Sequence, residues 1–248
     1  MTTIDHKQVY RSAARTHVGA VRKRNEDAVL DRAEIGLWAV ADGAGGHHRG
    51  DYASRRIMTA LNEVPLPSSM GMLIDDVKDR LGRVNQELRE TAVHIGPGAM
   101  ICSTVVAVLI VDGRSCCLWA GDSRCYLLRA GGLRQISHDH SYVQELVDRG
   151  EIVPKAASDH PLANIVTNLL GAENGLTLEE RWDQLVPGDT LLLCSDGLCR
   201  ALGDLDIATI LREYPVEAAA DRLIESAVSR SAKDNVSVVV ISYFPDQS

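Results

Sequence analysis

Four aspartates stand at the ends of short apolar runs that are typical of buried strands. Three of them close such a run and the fourth opens one: Asp42, Asp122, Asp196 and Asp234. A carboxylate at the end of a buried strand is costly unless something neutralises its charge. Hard divalent cations do this best, because they prefer oxygen ligands. The pattern predicts a polynuclear Mg²⁺ or Mn²⁺ site, and with it a hydrolase of phosphate esters.

The composition suits one large domain, and we expect residues 1–248 to form a single unit. The chain is 45% hydrophobic, which is ample for the core of a layered α/β fold of this length. Its formal net charge of −8 argues against a nucleic-acid surface, which needs clustered basic residues, and against an anionic membrane surface. We expect a monomer that binds neither.

The cysteines and the N-terminus favour the cytoplasm. Most cysteines fall in apolar strand-like runs, where inert buried thiols are favoured over zinc ligands or disulfides. The six cysteines of the chain are Cys102, Cys116, Cys117, Cys125, Cys194 and Cys199. Residues 1–15 lack the apolar segment of a secretory signal. The longest apolar stretch, 105–111, is far shorter than the roughly 20 residues of a membrane span.

Alternation and apolar runs predict about ten strands, mostly in antiparallel hairpins. The Asp112-Gly113 dipeptide marks a favoured two-residue hairpin turn. The predicted pairs are 29–31 with 37–41, 104–111 with 115–120, and 124–129 with 133–136, followed by strands at 176–182, 190–195 and 235–243.

Apolar residues at helical spacing predict helices over 53–64, 73–88 and 216–229. Ser141 with Gln144 forms a capping-box pattern that begins a short helix at 142–149, and Gly150 ends it. Two stacked sheets flanked by helices would bury all these faces. The more polar segment 141–175 is interpreted as a flap near the site.

Two charged or glycine-rich segments precede the first long helix. In 22–27, Arg22 beside Glu26 and Asp27 is either a solvated turn or a phosphate-binding arginine next to metal-facing carboxylates. In 41–50, four glycines form either a flexible connector or a close approach of backbone to an ion. Asp42 could bridge two cations there, and the Gly43 carbonyl could add another hard oxygen. No Gly-Lys-Ser/Thr sequence follows, which excludes that type of phosphate-binding loop.

The remaining motifs are 121–124, 195–197 and 233–235. Any single Asp-Gly pair is most often a turn, so the interpretation depends on the set. Ser123 and Ser195 have no obvious His–Asp partners, and a serine nucleophile is disfavoured. His47 and His48 are interpreted as polar loop residues, because Mg²⁺ and Mn²⁺ sites favour oxygen.

In their order along the chain these motifs resemble the metal-dependent protein phosphatases of the PP2C type. The matching segments are Arg22-x-x-Asn25-Glu26-Asp27, Ala41-Asp42-Gly43-x-Gly45-Gly46-His47, Gly121-Asp122-Ser123-Arg124, Ser195-Asp196-Gly197 and Asp234-Asn235. Asp139-His140-Ser141 and His160-Pro161 resemble the bacterial branch. The resemblance covers about 12–243 and implies a four-layer α-β-β-α sandwich of class α+β, with metals in a cleft at one end of the sheets.

The resemblance also implies a role for each site residue. The implied metal ligands are Glu26, Asp27, Asp42, Gly43, Asp122, Asp196 and Asp234. Asp42 and the Gly43 carbonyl would join two Mn²⁺ or Mg²⁺ ions, and Asp196 and Asp234 would ligate one of the pair.

The other members of that set have secondary roles in the same resemblance. Glu26 and Asp27 would hold metal-bound waters or complete the coordination. Asp122 with Asp196 would offer a third, weaker metal position, and Arg22 would take the substrate phosphate.

Two positions depart from the family pattern. Ala44 stands where the eukaryotic branch has a histidine proposed as general acid and bacterial relatives usually have Met. Alanine cannot donate a proton, so a metal-bound water or a group such as His47 must protonate the leaving group. Asp51 replaces the usual Glu after Gly50.

The implied function is single-step hydrolysis of phosphoserine and phosphothreonine on proteins, which reverses a cognate Ser/Thr kinase. Two metals about 4 Å apart would activate a water for in-line attack on phosphorus. The residues implied in catalysis are Arg22, Asp42, Asp196 and Asp234. Two alternatives stay open: a non-catalytic regulatory module with the same fold, and a hydrolase of small phosphoesters.

Overall fold

The computed structural model describes residues 10–44, 49–157, 159–172 and 176–244, in which eleven strands and seven α-helices occur. The strands are β1 (Tyr10–His17), β2 (Asp27–Arg32), β3 (Leu37–Ala44), β4 (Cys102–Ser103), β5 (Val105–Val111), β6 (Arg114–Ala120), β7 (Arg124–Arg129), β8 (Gly132–Gln135), β9 (Glu179–Gln184), β10 (Thr190–Cys194) and β11 (Val236–Tyr243). The helices are α1 (Gly50–Asn62), α2 (Met70–Ile95), α3 (Tyr142–Asp148), α4 (Pro154–Ala157), α5 (Asp196–Ala201), α6 (Asp204–Glu213) and α7 (Val216–Ser229).

The strands form two sheets, and neighbouring strands in both run antiparallel. The order is β1-β11-β10-β7-β8 in the first sheet and β2-β3-β5-β6-β9 in the second, where β4 also pairs with β3. The first sheet pairs the first described strand with the last, and Tyr10 lies opposite Tyr243. The two ends of the described chain therefore lie side by side.

The strand sequences place the sheets back to back between layers of helix. In β3, Leu37, Ala39 and Ala41 pack in the cluster that α1 and α2 cover. The intervening Trp38 and Val40 pack in a second cluster between the two sheets. A third cluster joins the outer face of the first sheet to α5, α6 and α7. The predicted four-layer α-β-β-α sandwich is confirmed.

The long helices follow from their apolar stripes. The stripe of α2 is buried along its whole length, with at most 1% of any of its five side chains exposed: Leu73, Val77, Leu81, Val84 and Leu88. The Ser69 hydroxyl accepts a hydrogen bond from the backbone N–H of Met72 at 3.3 Å and caps the helix. The helix predicted over 216–229 is α7, whose bounds agree with the prediction.

The predicted hairpins are also confirmed, and their turns have the expected geometry. Asp112 and Gly113 have positive φ values of 51° and 73°, and Ala130 and Gly131 have 49° and 81°. Two-residue turns with positive φ at both positions match the right-handed twist of the strands that they join.

Several elements differ from the sequence prediction. The prediction did not include β1, β4, α4, α5 or α6, and β9 begins at Glu179 rather than at residue 176. The capping box is half formed. The Ser141 hydroxyl accepts from the Gln144 N–H at 3.3 Å, but the Gln144 side chain donates to Asp148 instead of to residue 141.

The segment 141–175, interpreted above as a flap, carries α3 and α4. Two isolated bridges involve its described part: Ser141 with Val166 joins the segment to itself, and Ser103 with Leu170 attaches it to the body. Among the described residues, no helix combines the length and the apolar character needed to cross a bilayer.

Candidate metal centre

Asp27 and Asp42 lie opposite each other where β2 and β3 reach one end of the second sheet. The backbone of Asp42 is fixed by Thr104. The Asp42 N–H donates to Thr104 Oγ1 at 3.0 Å, and the Thr104 N–H donates to the Asp42 carbonyl at 2.9 Å. Thr104 Oγ1 also lies 2.8 Å from Ser123 Oγ, which ties the loop that carries Asp122 to the same strand.

Beside Asp27 and Asp42, two glycines let the end of β3 and the start of α1 approach each other closely. A Cβ on Gly43 would lie 2.0 Å from the Gly50 carbonyl oxygen, so no larger residue fits where β3 meets the start of α1. A Cβ on Gly50 would lie 2.5 Å from the Gly43 carbonyl oxygen and 3.0 Å from Glu26 Oε1. The Gly43 carbonyl and the Glu26 carboxylate therefore face the same small space.

The first sheet brings Asp196 and Asp234 to the same end of the molecule. Asp196 is the first residue of α5 and lies two residues after β10 ends, and Asp234 lies two residues before β11 begins. A Cβ on Gly197 would lie 1.9 Å from the Asn235 carbonyl oxygen and 3.5 Å from the Asp234 Cβ. Only glycine at this position lets α5 begin this close to the two residues that precede β11.

Asn235 joins the two sheets beneath the site. Its side-chain oxygen accepts from the Glu26 N–H at 2.8 Å, and its side-chain nitrogen donates to the carbonyls of Val18 and Arg24, each at 2.9 Å. In the sequence, Asn235 belongs to the 233–235 motif, but the sequence alone predicts no role for it. Its full set of partners across the sheets could not be read from the sequence, because it depends on which strands become neighbours.

Two serines support the carboxylates and were also missed. The Ser237 hydroxyl donates to Asp27 Oδ2 at 2.7 Å, and the Ser237 N–H donates to Ser195 Oγ at 3.0 Å. The other Asp27 oxygen, Oδ1, and Asp196 Oδ1 are buried without any hydrogen-bond partner. Buried carboxylate oxygens without partners are costly, so a bound cation would stabilise each of them.

The electrostatics of the cluster show that the carboxylates converge. Burial raises the pKa of Asp42 well above its ordinary value, and the charges of Asp27, Asp196, Asp122 and Asp234 raise it further. Burial and the charges of Asp196 and Asp234 raise the pKa of Asp27 to about 7, against the hydrogen bonds from Ser237 and Ser195 that lower it.

Asp122 and Asp196 are perturbed in the same direction. Burial, with the charges of Asp196 and Asp139, raises the pKa of Asp122 to about 7. Burial raises the pKa of Asp196 as well, although Arg200 opposes the shift. Mutually repelling buried carboxylates of this kind are stabilised when a multivalent cation lies among them.

Two arginines neutralise part of this charge. Arg22 Nη2 lies 2.8 Å from Asp234 Oδ2, and Arg200 Nη2 lies 2.7 Å from Asp196 Oδ2. Both side chains are about half exposed, 54% for Arg22 and 43% for Arg200. The Arg22 pairing was not predicted, but it places the guanidinium at the edge of the carboxylate cluster.

A cleft of about 960 Å³ opens beside the cluster. Asp122, Asp196 and Asp234 line it on one side, and α3 and the neighbouring part of the segment 141–175 line the other. The segment therefore lies next to the site, where the sequence analysis expected it.

The residues fit an oxygen-liganded divalent cation. In the described residues, no three His, Cys, Asp or Glu side chains are already arranged as a ligand shell. The donors are carboxylates and one backbone carbonyl, and two of the carboxylate oxygens are buried without a hydrogen-bond partner. Such oxygen ligands suit Mg²⁺ or Mn²⁺.

The two departures noted in the sequence can now be placed. Ala44 is the last residue of β3 and is exposed, and Asp51 lies in the first turn of α1, 3.9 Å from Arg55. The predicted roles of His47 and His48 fall outside the described residues.

Fold and site together define a class of protein: an α-β-β-α sandwich with a carboxylate-lined cleft at the shared end of its sheets. A family model described as Protein phosphatase 2C matches residues 16–236. That match covers most of the chain, and the chain belongs to the protein phosphatase 2C family.

Bacterial proteins are similar over nearly the whole chain. PppA, described as a key regulatory component of T6SS in Pseudomonas aeruginosa, is 42% identical with a TM-score of 0.88, over 95% of this chain and 98% of that one. The catalytic domain of the serine/threonine protein phosphatase PstP, solved with two manganese ions, is 35% identical with a TM-score of 0.81, over 96% and 99% of the two chains.

PstP from Mycobacterium tuberculosis is 39% identical over 234 residues, which are 94% of this chain and 45% of PstP. The chain thus spans about half the length of that relative.

Proposed function

We propose that this chain hydrolyses phosphoserine and phosphothreonine on proteins with the help of two or three Mn²⁺ or Mg²⁺ ions. The observation that carries the proposal is the convergence of carboxylates from both sheets beside one cleft. Two of their buried oxygens lack hydrogen-bond partners, and Arg22 pairs with Asp234. Family membership and the two manganese ions in the PstP catalytic domain support it.

In this proposal the cations are held by the seven predicted ligands. These are Glu26, Asp27, Asp42, the Gly43 carbonyl, Asp122, Asp196 and Asp234. The chemistry that bound divalent cations supply is activation of water and stabilisation of charge on the phosphate. Asp27 and Asp42 lie opposite each other in neighbouring strands of the second sheet, and Asn235 and Ser237 hold the first sheet against them, so the carboxylates are preorganised.

Arg22 binds the phosphate in this proposal. Its guanidinium is 54% exposed and pairs with Asp234, and the hydrogen bond to Asp234 and the charge of that carboxylate raise the pKa of Arg22. When Asp234 is neutralised, the guanidinium is free to turn outward and donate two parallel hydrogen bonds to phosphate oxygens. Ala44 supplies no proton, so the group that protonates the leaving oxygen must come from elsewhere in the cleft.

The test is turnover of phosphoserine and phosphothreonine peptides with Mn²⁺, with Mg²⁺ and with chelator. We expect turnover with the metals and none with chelator. Asp196→Asn and Asp234→Asn should abolish metal-dependent turnover. The matched control is Asp112→Asn, which changes an aspartate in a hairpin turn where asparagine is equally suited. Near-normal turnover by Asp196→Asn would contradict the assignment.

The two alternatives are separated when nucleotides are tested beside the phosphopeptides in the same assay. A hydrolase of small phosphoesters would cleave nucleotides faster than phosphopeptides with Mn²⁺. A regulatory module would cleave neither. The presence of all seven predicted ligand residues in the sequence favours catalysis over a regulatory role.

We also propose the setting in which the activity operates. The chain acts as one domain, with its core at about 12–243 and a flap at about 141–175. It works as a monomer in the cytoplasm, where it reverses the action of a Ser/Thr kinase. The net charge of −8 supports the absence of nucleic-acid and membrane partners. The six cysteines, all within the described residues, are free thiols, which suits a reducing compartment.

A further inference from the structure

Two cysteines lie on either side of Asp196. Cys194 ends β10 and Cys199 lies in α5, so the four residues between them include the proposed metal ligand. Their sulfur atoms are 3.5 Å apart. Two thiols this close need only a small movement of one sulfur to reach the S–S bond length of roughly 2.05 Å.

The surroundings give the two thiols different roles. Cys194 is fully buried, whereas Cys199 is partly exposed and lines the cleft. Tyr126 Oη lies 3.4 Å from Cys199 Sγ, and Arg124 donates to the same Tyr126 oxygen at 3.0 Å. The hydrogen bond from Cys194 and the positive charge of Arg124 lower the pKa of the Cys199 thiol.

The other four cysteines are buried, including Cys117 and Cys125, which lie close to each other. Each is at most 4% exposed: Cys102, Cys116, Cys117 and Cys125. Burial raises the pKa of Cys102 to about 11 and that of Cys116 to about 12. The hydrogen bond to Cys199 and burial also raise the pKa of Cys194 well above its ordinary value, so Cys199 reacts first and Cys194 acts only as the thiol that resolves the oxidised Cys199. An oxidant that enters the cleft therefore meets Cys199 first.

We propose that Cys194 and Cys199 form a peroxide-sensitive dithiol that controls cation binding at Asp196. Hydrogen peroxide oxidises the Cys199 thiol to a sulfenic acid and is itself reduced to water. The Cys194 sulfur then attacks the Cys199 sulfur, and the sulfenic hydroxyl leaves as a second water, so that one disulfide forms. A thiol reductant reverses the change.

The disulfide would act on Asp196 through the backbone. It closes a ring that contains Ser195, Asp196, Gly197 and Leu198, and it draws the first turn of α5 toward β10. That turn has little room to move, because a Cβ on Gly197 would already lie 1.9 Å from the Asn235 carbonyl oxygen. The Asp196 carboxylate must shift, and displacement of a ligand's support lowers metal affinity by roughly ten- to 100-fold. This consequence depends on the proposed role of Asp196.

The experiment compares one protein in two redox states. The full chain is treated with hydrogen peroxide in chelator, exchanged into clean buffer, and mapped by mass spectrometry of unreduced peptides. Mn²⁺ binding is then measured by calorimetry before oxidation, after oxidation and after dithiothreitol. We expect one disulfide between Cys194 and Cys199, a dissociation constant for Mn²⁺ raised roughly ten- to 100-fold, and recovery with dithiothreitol.

Variants assign the order of the steps. Cys194→Ala should stop at a Cys199 sulfenic acid that dimedone traps, and Cys199→Ala should form neither species. Cys117→Ala, which changes a thiol buried between the sheets, should behave as the unaltered chain does.

Thiols that stay reduced under peroxide, a disulfide between other cysteines, or the expected disulfide with unchanged Mn²⁺ affinity would each overturn the inference. If the reduced chain binds no Mn²⁺ at all, the proposed function fails and so does the control of cation binding. The peptide map still decides whether the dithiol chemistry occurs, so the two failures are distinguishable.

Discussion

Arg22 holds a position between the carboxylate cluster and the solvent, and its single close carboxylate partner among the described residues is Asp234 at 2.8 Å. The guanidinium is rigid and planar, so it can exchange one acceptor for another without losing its hydrogen-bond geometry. The ion pair with Asp234 then keeps the side chain at the edge of the cleft until a phosphate arrives.

Removal of this guanidinium should weaken substrate binding more than it slows the chemical step. Charge-assisted hydrogen bonds contribute roughly 1.5–3 kcal/mol, so Arg22→Ala should raise the KM for a phosphothreonine peptide about 10- to 100-fold with a smaller change in kcat. Steady-state kinetics with saturating Mn²⁺ measure both. Arg11→Ala, on the exposed face of β1, is the control. An unchanged KM would exclude the phosphate role.

The raised carboxylate pKa values predict that the stability of the metal-free protein, kept so by a chelator, depends on pH. The pKa of Asp27 is about 7 in the folded chain, whereas the ordinary aspartate pKa that the unfolded chain regains is 3.8. The folded state therefore binds the proton more tightly, and stability should rise as the pH falls from about 8 through 7 toward 6. Asp27→Asn removes this contribution, so the rise in Tm over that range should be smaller in the variant. Equal slopes for the two proteins would show that Asp27 is ionised at neutral pH.

At the scale of elements, the locally encoded parts of the fold could be predicted. The α2 stripe and the Asp112-Gly113 turn each need only nearby residues, and both are confirmed. Strand β1 was missed because its side chains alternate weakly between half-buried and exposed, and it is fixed by pairing with β11 at the other end of the chain. Its position is a property of the assembled sheet.

The candidate site likewise has residues that could be predicted from the sequence and residues that could not. Carboxylates at strand ends are visible in the sequence, and the structure brings five of them together: Asp27, Asp42, Asp122, Asp196 and Asp234. Their supports, Ser195, Ser237 and Asn235, depend on contacts between strands that lie far apart in the sequence. The pairing of Arg200 with Asp196 depends on α5, which the prediction did not include.

The start of α5 gives a prediction about one element. Gly197→Ala places a methyl group 1.9 Å from the Asn235 carbonyl oxygen, and overpacking of this kind costs about 1–3 kcal/mol. We expect a lower Tm and weaker Mn²⁺ binding. Gly82→Ala is the matched control, because its Cβ meets nothing within 4 Å on an exposed face of α2. That substitution should raise stability by roughly 0.5–1 kcal/mol. A Gly197→Ala variant as stable as the unaltered chain would contradict the close fit.

At the scale of the whole molecule, the proposed ligands come from both sheets. Asp27 and Asp42 belong to strands of the second sheet, whereas Asp196 and Asp234 flank strands of the first. A cation held by both pairs would link the two layers, and its binding free energy would add to the stability of each. Such linkage amounts to about 2.7 kcal/mol when the free cation is at 100 times its dissociation constant.

Saturating Mn²⁺ should therefore raise the Tm in one cooperative transition and slow amide hydrogen exchange in β3 and β11 together. Both effects should disappear in Asp42→Asn and persist in Asp112→Asn, whose aspartate lies in a hairpin turn. Hydrogen exchange followed by mass spectrometry resolves the two strands. Protection confined to one sheet would mean that the cation is held by one layer alone, because a ligand shared between layers must slow opening of both.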